Sequence, residues 1–180
     1  MLLDGKNFAT VATLNPDGGT ADDDNTQPVE GATMPTYPTL STQVIGQAES
    51  ALGAISGPLL ARTGTTFHQW LVLTLTAASG GAIDRDQLIT RITTARKIDD
   101  STVAAAITEL TDAEVMQVLP GDGSRVGLTD AGQTRFRQIR TALDEVTGRL
   151  FGDLPAEELA TAGRILSIVT ARANAELAST

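Results

Sequence analysis

The chain has 180 residues, which is enough for one domain of ordinary size and an appendage. Hydrophobic residues make up 41% of the sequence but aromatic residues only 3%, so its core must be largely aliphatic. Without cysteine it has no disulfide, thiol nucleophile or thiolate metal site, and no apolar run approaches the roughly 18 residues of a membrane span. The start also lacks the pattern of a signal peptide, and we therefore predict a soluble cytoplasmic protein.

The formal net charge of −9 is unevenly distributed along the chain. Residues 1–42 contain one base and six acids, whereas residues 43–180 contain twelve bases and sixteen acids. Affinity for nucleic-acid phosphates comes from Lys and Arg, so this charge argues against a nucleic-acid binder. The objection is weaker for residues 43–180, because more than half of the excess negative charge lies before them.

The first 42 residues differ in composition from the rest. Residues 7–14 alternate like a strand and stop at residues 15–19 (Asn-Pro-Asp-Gly-Gly), which is a strong turn signal. Residues 20–42 have almost no apolar periodicity and contain three consecutive aspartates, a composition typical of a linker. We therefore predict a flexible N-terminal arm over residues 1–42 and a folded domain over residues 43–180.

Helical spacing begins after the arm. A first helix over residues 43–62 has one apolar stripe, formed by Ile45, Ala48, Leu52, Ile55 and Leu59. It is broken by Gly64, and the pair Thr66 and Gln69 has the spacing of a capping box that opens a second helix. Residues 71–76 also alternate like a strand, so the periodicity of this segment alone leaves helix and strand open.

Two short helices are predicted next. Asp84 and Gln87 have capping-box spacing at the start of the third helix, and a turn over residues 97–99 leads into the fourth. The predicted buried faces are Leu88, Ile92 and Ala95 on the third helix, and Val103, Ala106, Ile107 and Leu110 on the fourth.

A small β-hairpin and two long helices complete the chain. Residues 115–119 and 125–128 flank a Pro-Gly-Asp-Gly turn, which predicts the hairpin. Thr129 caps a fifth helix and Pro155 precedes a sixth. Their apolar stripes are Phe136, Ile139, Leu143, Val146 and Leu150 on the fifth, and Leu159, Ala162, Leu166, Val169 and Ala173 on the sixth.

Two short helices followed by a hairpin is the order of a winged helix-turn-helix, in which the second helix enters the DNA major groove. Residues 128–132 (Leu-Thr-Asp-Ala-Gly) resemble the Leu-Thr-x-x-Gly that follows the wing in MarR-type transcription regulators. Residues 122–125 (Asp-Gly-Ser-Arg) resemble the Asp-x-Arg wing motif of that family, with one extra residue. Residues 99–103 and 154–158 are similar to the start of its recognition helix and to the turn before its last helix.

The resemblance covers about residues 43–178. It implies a mainly α (α+β) fold with a DNA-binding core over residues 66–129 and dimerisation helices over residues 43–62 and 130–178. The residues themselves also favour a homodimer, because three apolar stripes exceed what one small winged helix can cover. The family further implies a transcription regulator on a palindromic operator, expected to be a repressor, with a small aromatic ligand as effector and with no cofactor and no enzymatic activity.

Carried over position by position, the resemblance implies a set of DNA-binding residues. Ser101 and Thr102 would meet phosphates or base edges at the start of the recognition helix. Ala105 and Thr108 would face the groove, where Ala105 can touch a thymine methyl group. Arg125 would enter the minor groove or bind phosphate from the wing.

Further residues are expected around these. Arg91, Arg96 and Lys97 would bind phosphates from the third helix and the turn after it. His68 is the sole histidine, and with no cysteine it cannot complete a catalytic triad or a metal site. It more simply packs near the start of the second helix, or it lines an effector cavity with Trp70.

Several positions depart from the family pattern. Glu114 stands where a glycine is usual after the recognition helix, and the helix itself carries Glu109 and Asp112 but no base. Residues 84–125 hold five bases and eight acids. An alternative function is therefore a winged-helix module that binds a protein partner and binds DNA weakly or not at all.

The N-terminal segment carries a second, shorter resemblance. Residues 2–18 look like the opening of the split-barrel flavin- or deazaflavin-binding proteins related to pyridoxamine-phosphate oxidase. A split barrel needs several more strands, and the sequence shows none after it. We interpret the segment as a remnant left by a genomic fusion or by a misassigned start.

Overall fold

The computed structural model describes residues 38–121 and 123–179. From Leu40 onward the described residues belong to one compact unit with six helices and three short strands. These elements are α1 (Thr42–Ala61), α2 (Phe67–Ala78), β1 (Ala82–Asp84), α3 (Arg85–Arg96), α4 (Asp100–Asp112), β2 (Met116–Val118), β3 (Arg125–Leu128), α5 (Asp130–Phe151) and α6 (Ala156–Ala178). The N-terminal resemblance, most of the predicted arm, and Asp122 of the wing motif lie outside the described residues.

The start of α2 confirms the predicted capping box. The Gln69 backbone N–H donates to Thr66 Oγ1 at 3.2 Å, and Gln69 Oε1 accepts from the Thr66 backbone N–H at 3.0 Å. The ambiguous residues 71–76 lie inside this helix, where Val72, Leu73 and Thr76 are buried. Their spacing of one, three and four matches one helical face, and burial on that face decides between helix and strand.

The core lies between α2, α3, α4 and the sheet. It is aliphatic, as the composition predicts, and its fully buried side chains include Leu73, Leu88, Leu110, Met116, Val72, Val103, Val115 and Val126. The four predicted apolar residues of α4 are all buried. On α3 the prediction is wrong at Ala95, which is exposed beside a surface cavity, while Ile89 is buried in its place.

The sheet has one strand more than the predicted hairpin. β1 pairs antiparallel with β3, with Ile83 opposite Val126, and β3 pairs antiparallel with β2 on its other side. The strand follows two glycines, Gly80 and Gly81, whose φ values of 82° and 89° turn the chain out of α2. Three residues are too few to show an alternating pattern, which is why the sequence did not reveal β1.

The Leu-Thr-x-x-Gly segment joins the wing to α5. Thr129 Oγ1 accepts from the Gly132 backbone N–H at 3.0 Å and lies within hydrogen-bond distance of the Glu114 and Val115 carbonyl oxygens, at 2.7 and 3.1 Å. Leu128 is buried. A Cβ at Gly132 would collide with the Val115 carbonyl oxygen, so this position has no room for a side chain. The segment therefore ties the chain after α4 to the first turn of α5.

The terminal helices are only partly covered by their own chain. Within the described residues α1 buries Leu60, α5 buries Gly132 and Ile139, and α6 buries none. Each predicted stripe is accessible in part, with Leu52 at 43%, Leu150 at 39% and Leu166 at 40% exposure. These three helices therefore present apolar faces that the rest of the unit does not cover.

Glu114 carries backbone strain that can be tested. Its φ is 56°, in the left-handed region where a side chain costs about 1–2 kcal/mol and glycine does not. We expect Glu114→Gly to stabilise the fold by about 1 kcal/mol and to raise Tm by about 2–4 °C in thermal unfolding followed by circular dichroism.

The control for this prediction is Glu114→Ala. It removes the same carboxylate but keeps a Cβ in the left-handed conformation, so its Tm should not rise. If alanine raised Tm as much as glycine, charge repulsion and not backbone strain would be the cause.

Candidate nucleic-acid interface

One face of α4 points away from the core. Val103, Ala106, Ile107 and Leu110 bury the opposite face, and this fixes the rotation of the helix. Ser101, Ala105 and Thr108 are all exposed, and their spacing of four and three places them together on the outward face. The structure thus brings three of the four predicted groove-facing residues together. Thr102 is half-buried at the edge of this face, and its backbone N–H donates to the Asp99 carbonyl oxygen at 3.1 Å.

The outward face of α4 is small and uncharged at its centre. Ala105 contributes a methyl group, and the Thr108 hydroxyl donates to the Ala104 carbonyl oxygen at 3.0 Å. Because this bond uses the hydroxyl proton, the Thr108 oxygen can act outward only as an acceptor. Side chains of this size allow a helix backbone to approach another surface closely.

Glu109 lies at the edge of this face and has a partner on α2. Gln69 Nε2 donates to Glu109 Oε2 at 2.8 Å. The two residues are 40 positions apart, so no local pattern in the sequence could indicate the contact. Sequence reasoning recognised Gln69 only as a capping residue and Glu109 only as an unfavourable charge.

The wing presents Arg125 at the start of β3. The side chain is exposed, and the residue lies opposite Asp84 of β1 in the strand register. Its carbonyl oxygen accepts from the Leu119 backbone N–H at 2.9 Å, which closes the hairpin. Gly121 and Gly123 have φ values of 133° and 75°, so the turn needs glycine at both positions.

The remaining predicted phosphate contacts separate into two environments. Arg91 and Lys97 are exposed, and Lys97 ends α3 in the left-handed conformation with φ 55°. Arg96 has a different surrounding, because its guanidinium lies over the ring of Phe67, 5.0 Å from the ring centre. This is the geometry of a cation–π contact, and it turns Arg96 toward α2.

A largely apolar cleft of about 690 Å³ lies between α1, the start of α2 and the second half of α5. Its walls include Leu52, Ile55, Leu60, Phe67, Leu143 and Val146. Arg96 is the basic residue of the lining and Glu49 is the acidic one. A cleft of this kind suits a small apolar ligand with one charged or polar group.

Neither of the two predicted effector residues lines this cleft, although His68 lies beside it. His68 is half-buried and lines a smaller cavity of about 260 Å³ with Phe67 and Arg96, and its ring meets Phe67 edge-on at 6.0 Å. Trp70 stacks on Phe136 of α5, with ring centres 5.5 Å apart and an interplanar angle of 19°, and packs against the core. Among the cavities formed by the described residues, none is lined by both His68 and Trp70.

Residues 38–121 and 123–179 offer neither a metal-binding cluster nor a membrane-spanning helix. That part of the chain contains no group of three or more His, Asp or Glu side chains that could hold a metal ion. It also contains no helix with the length and hydropathy needed to cross a membrane.

Comparison with known proteins gives matches among solved structures. No protein-family model matches the chain, and no curated protein matches it either. NadR in complex with 4-hydroxyphenylacetate is similar at 23% identity and a TM-score of 0.58, over 76% of this chain and 97% of that one. Sco5413, a MarR family transcriptional regulator from Streptomyces coelicolor, is similar at 19% identity and a TM-score of 0.61, over 73% of this chain and 91% of that one.

A third solved structure is CouR from Rhodococcus jostii RHA1 bound to p-coumaroyl-CoA. It is similar at 15% identity and a TM-score of 0.60, over 70% of this chain and 88% of that one. At these identities the likeness establishes the fold. The chain has the winged-helix fold of the MarR-type regulators. The predicted fold class is therefore confirmed, and so is the resemblance of residues 43–178 to these regulators in their fold.

Proposed function

We propose that this chain is a DNA-binding transcription regulator that represses as a homodimer on a palindromic operator, under the control of a small ligand. The observation that carries the proposal is the outward face of α4, where Ser101, Ala105 and Thr108 are exposed together on a fold shared with transcription regulators. A helix whose buried face is fixed and whose free face is small can enter a major groove.

Each predicted residue has a role in this proposal. Ser101 and Thr102, at the N-terminal end of α4, contact phosphates or base edges as the helix enters the groove. Ala105 contacts a thymine methyl group, and the Thr108 oxygen accepts from a base amino group. The contacts with bases provide sequence discrimination but little affinity.

Affinity for DNA is assigned to the exposed cations around α4. Arg91 and Lys97 bind phosphates beside the helix, and Arg125 binds from the wing, in the minor groove or on its phosphates. Arg96 stays a predicted phosphate contact, although its position over Phe67 equally favours an anionic group of the ligand. With so few cations, binding should depend strongly on the ones that are present.

DNA binding can be tested by fluorescence anisotropy on the chain's own upstream DNA over a range of salt concentrations. Phosphate contacts by Arg91, Lys97 and Arg125 in each subunit predict a slope of log K against log salt of about −5 for the dimer, and a further contact by Arg96 would steepen it to about −7. Arg125→Ala should weaken binding about tenfold or more and make the slope shallower by about 2, because each dimer loses two contacts.

Arg140→Ala is the matched control. It removes the same charge from α5, where Arg140 pairs with Asp144 at 2.9 Å on the exposed surface, and should leave DNA affinity almost unchanged. Failure to bind upstream or scrambled DNA at low salt would contradict the regulator proposal. It would favour the alternative, a protein-binding module, for which the acidic Glu109 and Asp112 on α4 are the specific observation.

The homodimer is supported by the uncovered helices. α6 buries no residue against its own chain, yet Ile165, Leu166, Ile168 and Val169 are apolar and about 40% exposed. Contiguous exposed apolar surface of this kind marks an interaction site. A second copy joined by a two-fold axis covers the same patch on both subunits and also presents two copies of α4 to a palindrome.

Light scattering after gel filtration tests the dimer. Wild type should have about twice the chain mass of 18.7 kDa, and Leu166→Glu should shift it toward the monomer, because the substitution places a charge in an apolar interface. Ser167→Glu adds the same charge at an exposed position on the opposite side of α6 and should leave the mass unchanged. A monomeric wild type at tens of micromolar would contradict the dimer.

The ligand is proposed to bind in the cleft between α1, α2 and α5. Two of the similar structures contain 4-hydroxyphenylacetate and p-coumaroyl-CoA, both of which carry an aromatic ring and an anionic group. Here apolar walls would take the ring and Arg96 would take the anion. Because the cleft borders the start of α2 and the end of α3, a ligand there alters DNA binding if its affinity differs between the two states.

Thermal shift with small aromatic carboxylates, beginning with 4-hydroxyphenylacetate, tests the cleft. A ligand at 100 times its Kd stabilises the fold by about 2.7 kcal/mol, and Arg96→Ala should abolish that shift. Arg91→Ala, which removes an exposed arginine of the same helix, should retain it. The absence of any shift across the series, or an undiminished shift in Arg96→Ala, would contradict this site.

A further inference from the structure

A chain of two hydrogen bonds joins the start of α2 to the recognition helix α4. The Thr66 backbone N–H donates to Gln69 Oε1 at 3.0 Å. From the other end of the same amide, Gln69 Nε2 donates to Glu109 Oε2 at 2.8 Å. The Gln69 side chain therefore bridges two helices, with its oxygen turned to one and its nitrogen to the other.

The two ends of this chain lie at the two regions that the proposed function uses. Thr66 lines the apolar cleft, together with Thr65 before it and Phe67 after it. Glu109 follows Thr108 directly and lies one turn after Ala105, so its carboxylate borders the outward face of α4. A displacement at the wall of the cleft can thus reach the DNA-facing helix through one side chain.

The choice of Gln at position 69 distinguishes a residue that only caps α2 from one that also contacts α4. At the third position of a helix, Gln and Glu serve equally well as the returning acceptor of a capping box. Only Gln also has a donor, and the Glu109 carboxylate accepts from it, because an ionised carboxylate can only accept. The bond to a carboxylate is charge-assisted, which makes it stronger than a bond between neutral groups.

We propose that Gln69 is a positioning residue that holds Glu109 on α2, sets the orientation of α4 and couples that orientation to the cleft. Holding the carboxylate against the Gln69 amide also keeps it from the DNA phosphates, where a negative charge would repel them. The positioning of Glu109 by Gln69 is argued from the two hydrogen bonds alone, whereas its role in DNA binding rests on the proposed function. Its test must therefore have one readout without DNA and one with it.

The test is a double-mutant cycle with Gln69→Glu, Glu109→Gln and their combination in the full-length chain. Gln69→Glu keeps the capping acceptor, removes the donor and sets two carboxylates against each other. The combination restores the bond in reverse, because the amide at position 109 donates to the carboxylate at position 69, with the net charge of wild type. Gln87→Glu is the charge control, since Gln87 holds the equivalent third position of α3 and its backbone N–H bonds Asp84 in the same way.

The readout without DNA is the set of backbone amide resonances of residues 101–112, measured by NMR. Gln69→Glu should shift them and the combination should return them toward wild type, whereas Gln87→Glu should leave them in place. Resonances that do not move in Gln69→Glu, or that do not return in the combination, overturn the positioning role. This holds whether or not the protein binds DNA.

The readout with DNA is the affinity for upstream DNA at fixed salt. Gln69→Glu should bind about tenfold more weakly than Gln87→Glu, and the combination should recover to within about threefold of wild type. Equal affinity of Gln69→Glu and Gln87→Glu would overturn the functional role of the bridge while leaving the regulator proposal intact. A wild type that binds no DNA would instead defeat the proposed function, and the resonances alone would then decide the bridge.

Coupling to the cleft is tested with Phe67→Ala, which alters the wall beside Thr66 at a side chain that is 44% exposed. In the wild-type background this change should shift the α4 resonances, and in the Gln69→Glu background the shift should largely vanish. A shift of equal size in both backgrounds would show that the cleft reaches α4 by another route and would overturn the coupling.

Discussion

Burial of one apolar face of α4 determines which of its side chains can meet another molecule. Val103, Ala106 and Leu110 pack against the core, so the helix cannot rotate without exposing aliphatic surface. With the rotation fixed, Ser101 and Thr108 must point outward. The proposed DNA-facing surface is thus a consequence of core packing, which fixes the rotation of α4 about its own axis. The hydrogen bond from Gln69 acts on a different property, the orientation of the whole helix relative to α2.

A short segment around Thr129 and Gly132 connects the wing to the same core. The Thr129 hydroxyl reaches back to the carbonyl oxygens that follow α4 while it caps α5, and Gly132 allows the two segments to approach closely. Glu114, just before β2, takes the left-handed conformation where the chain leaves α4. The wing, α4 and the long α5 are therefore joined within a few residues, and α5 is tied closely to the helix that carries the proposed DNA-facing surface.

Local patterns predicted most of the fold, and contacts distant in sequence account for what they missed. Caps such as Thr66 and Thr129 marked helix starts, because the side chain that satisfies a free N–H lies only three residues from it. β1 was not predicted because three residues are too few to show an alternating pattern. Ala95 was wrongly predicted to be buried because periodicity does not show how far along α3 the neighbouring helices pack against it. The contact of Arg96 with Phe67 depends on how α3 packs on α2, which no local spacing encodes.

Negative charge is the strongest physical objection to a DNA-binding role, and the geometry of α4 weakens it in a specific way. Non-specific binding depends almost wholly on phosphate contacts, whereas recognition of bases depends on shape and hydrogen bonding in the groove. The outward face of α4 is neutral at Ala105 and Thr108, and Glu109 is held by Gln69, so this face preserves the recognition of bases. The acidic surroundings reduce the binding that comes from phosphate contacts. On the proposed function, such a protein would bind DNA less tightly overall, and it would lose similar factors of affinity for random sequence and for its operator, because the phosphate contacts do not depend on sequence. Discrimination between sites, which is the quantity a regulator needs when competing sites are abundant, would then rest on the neutral face of α4.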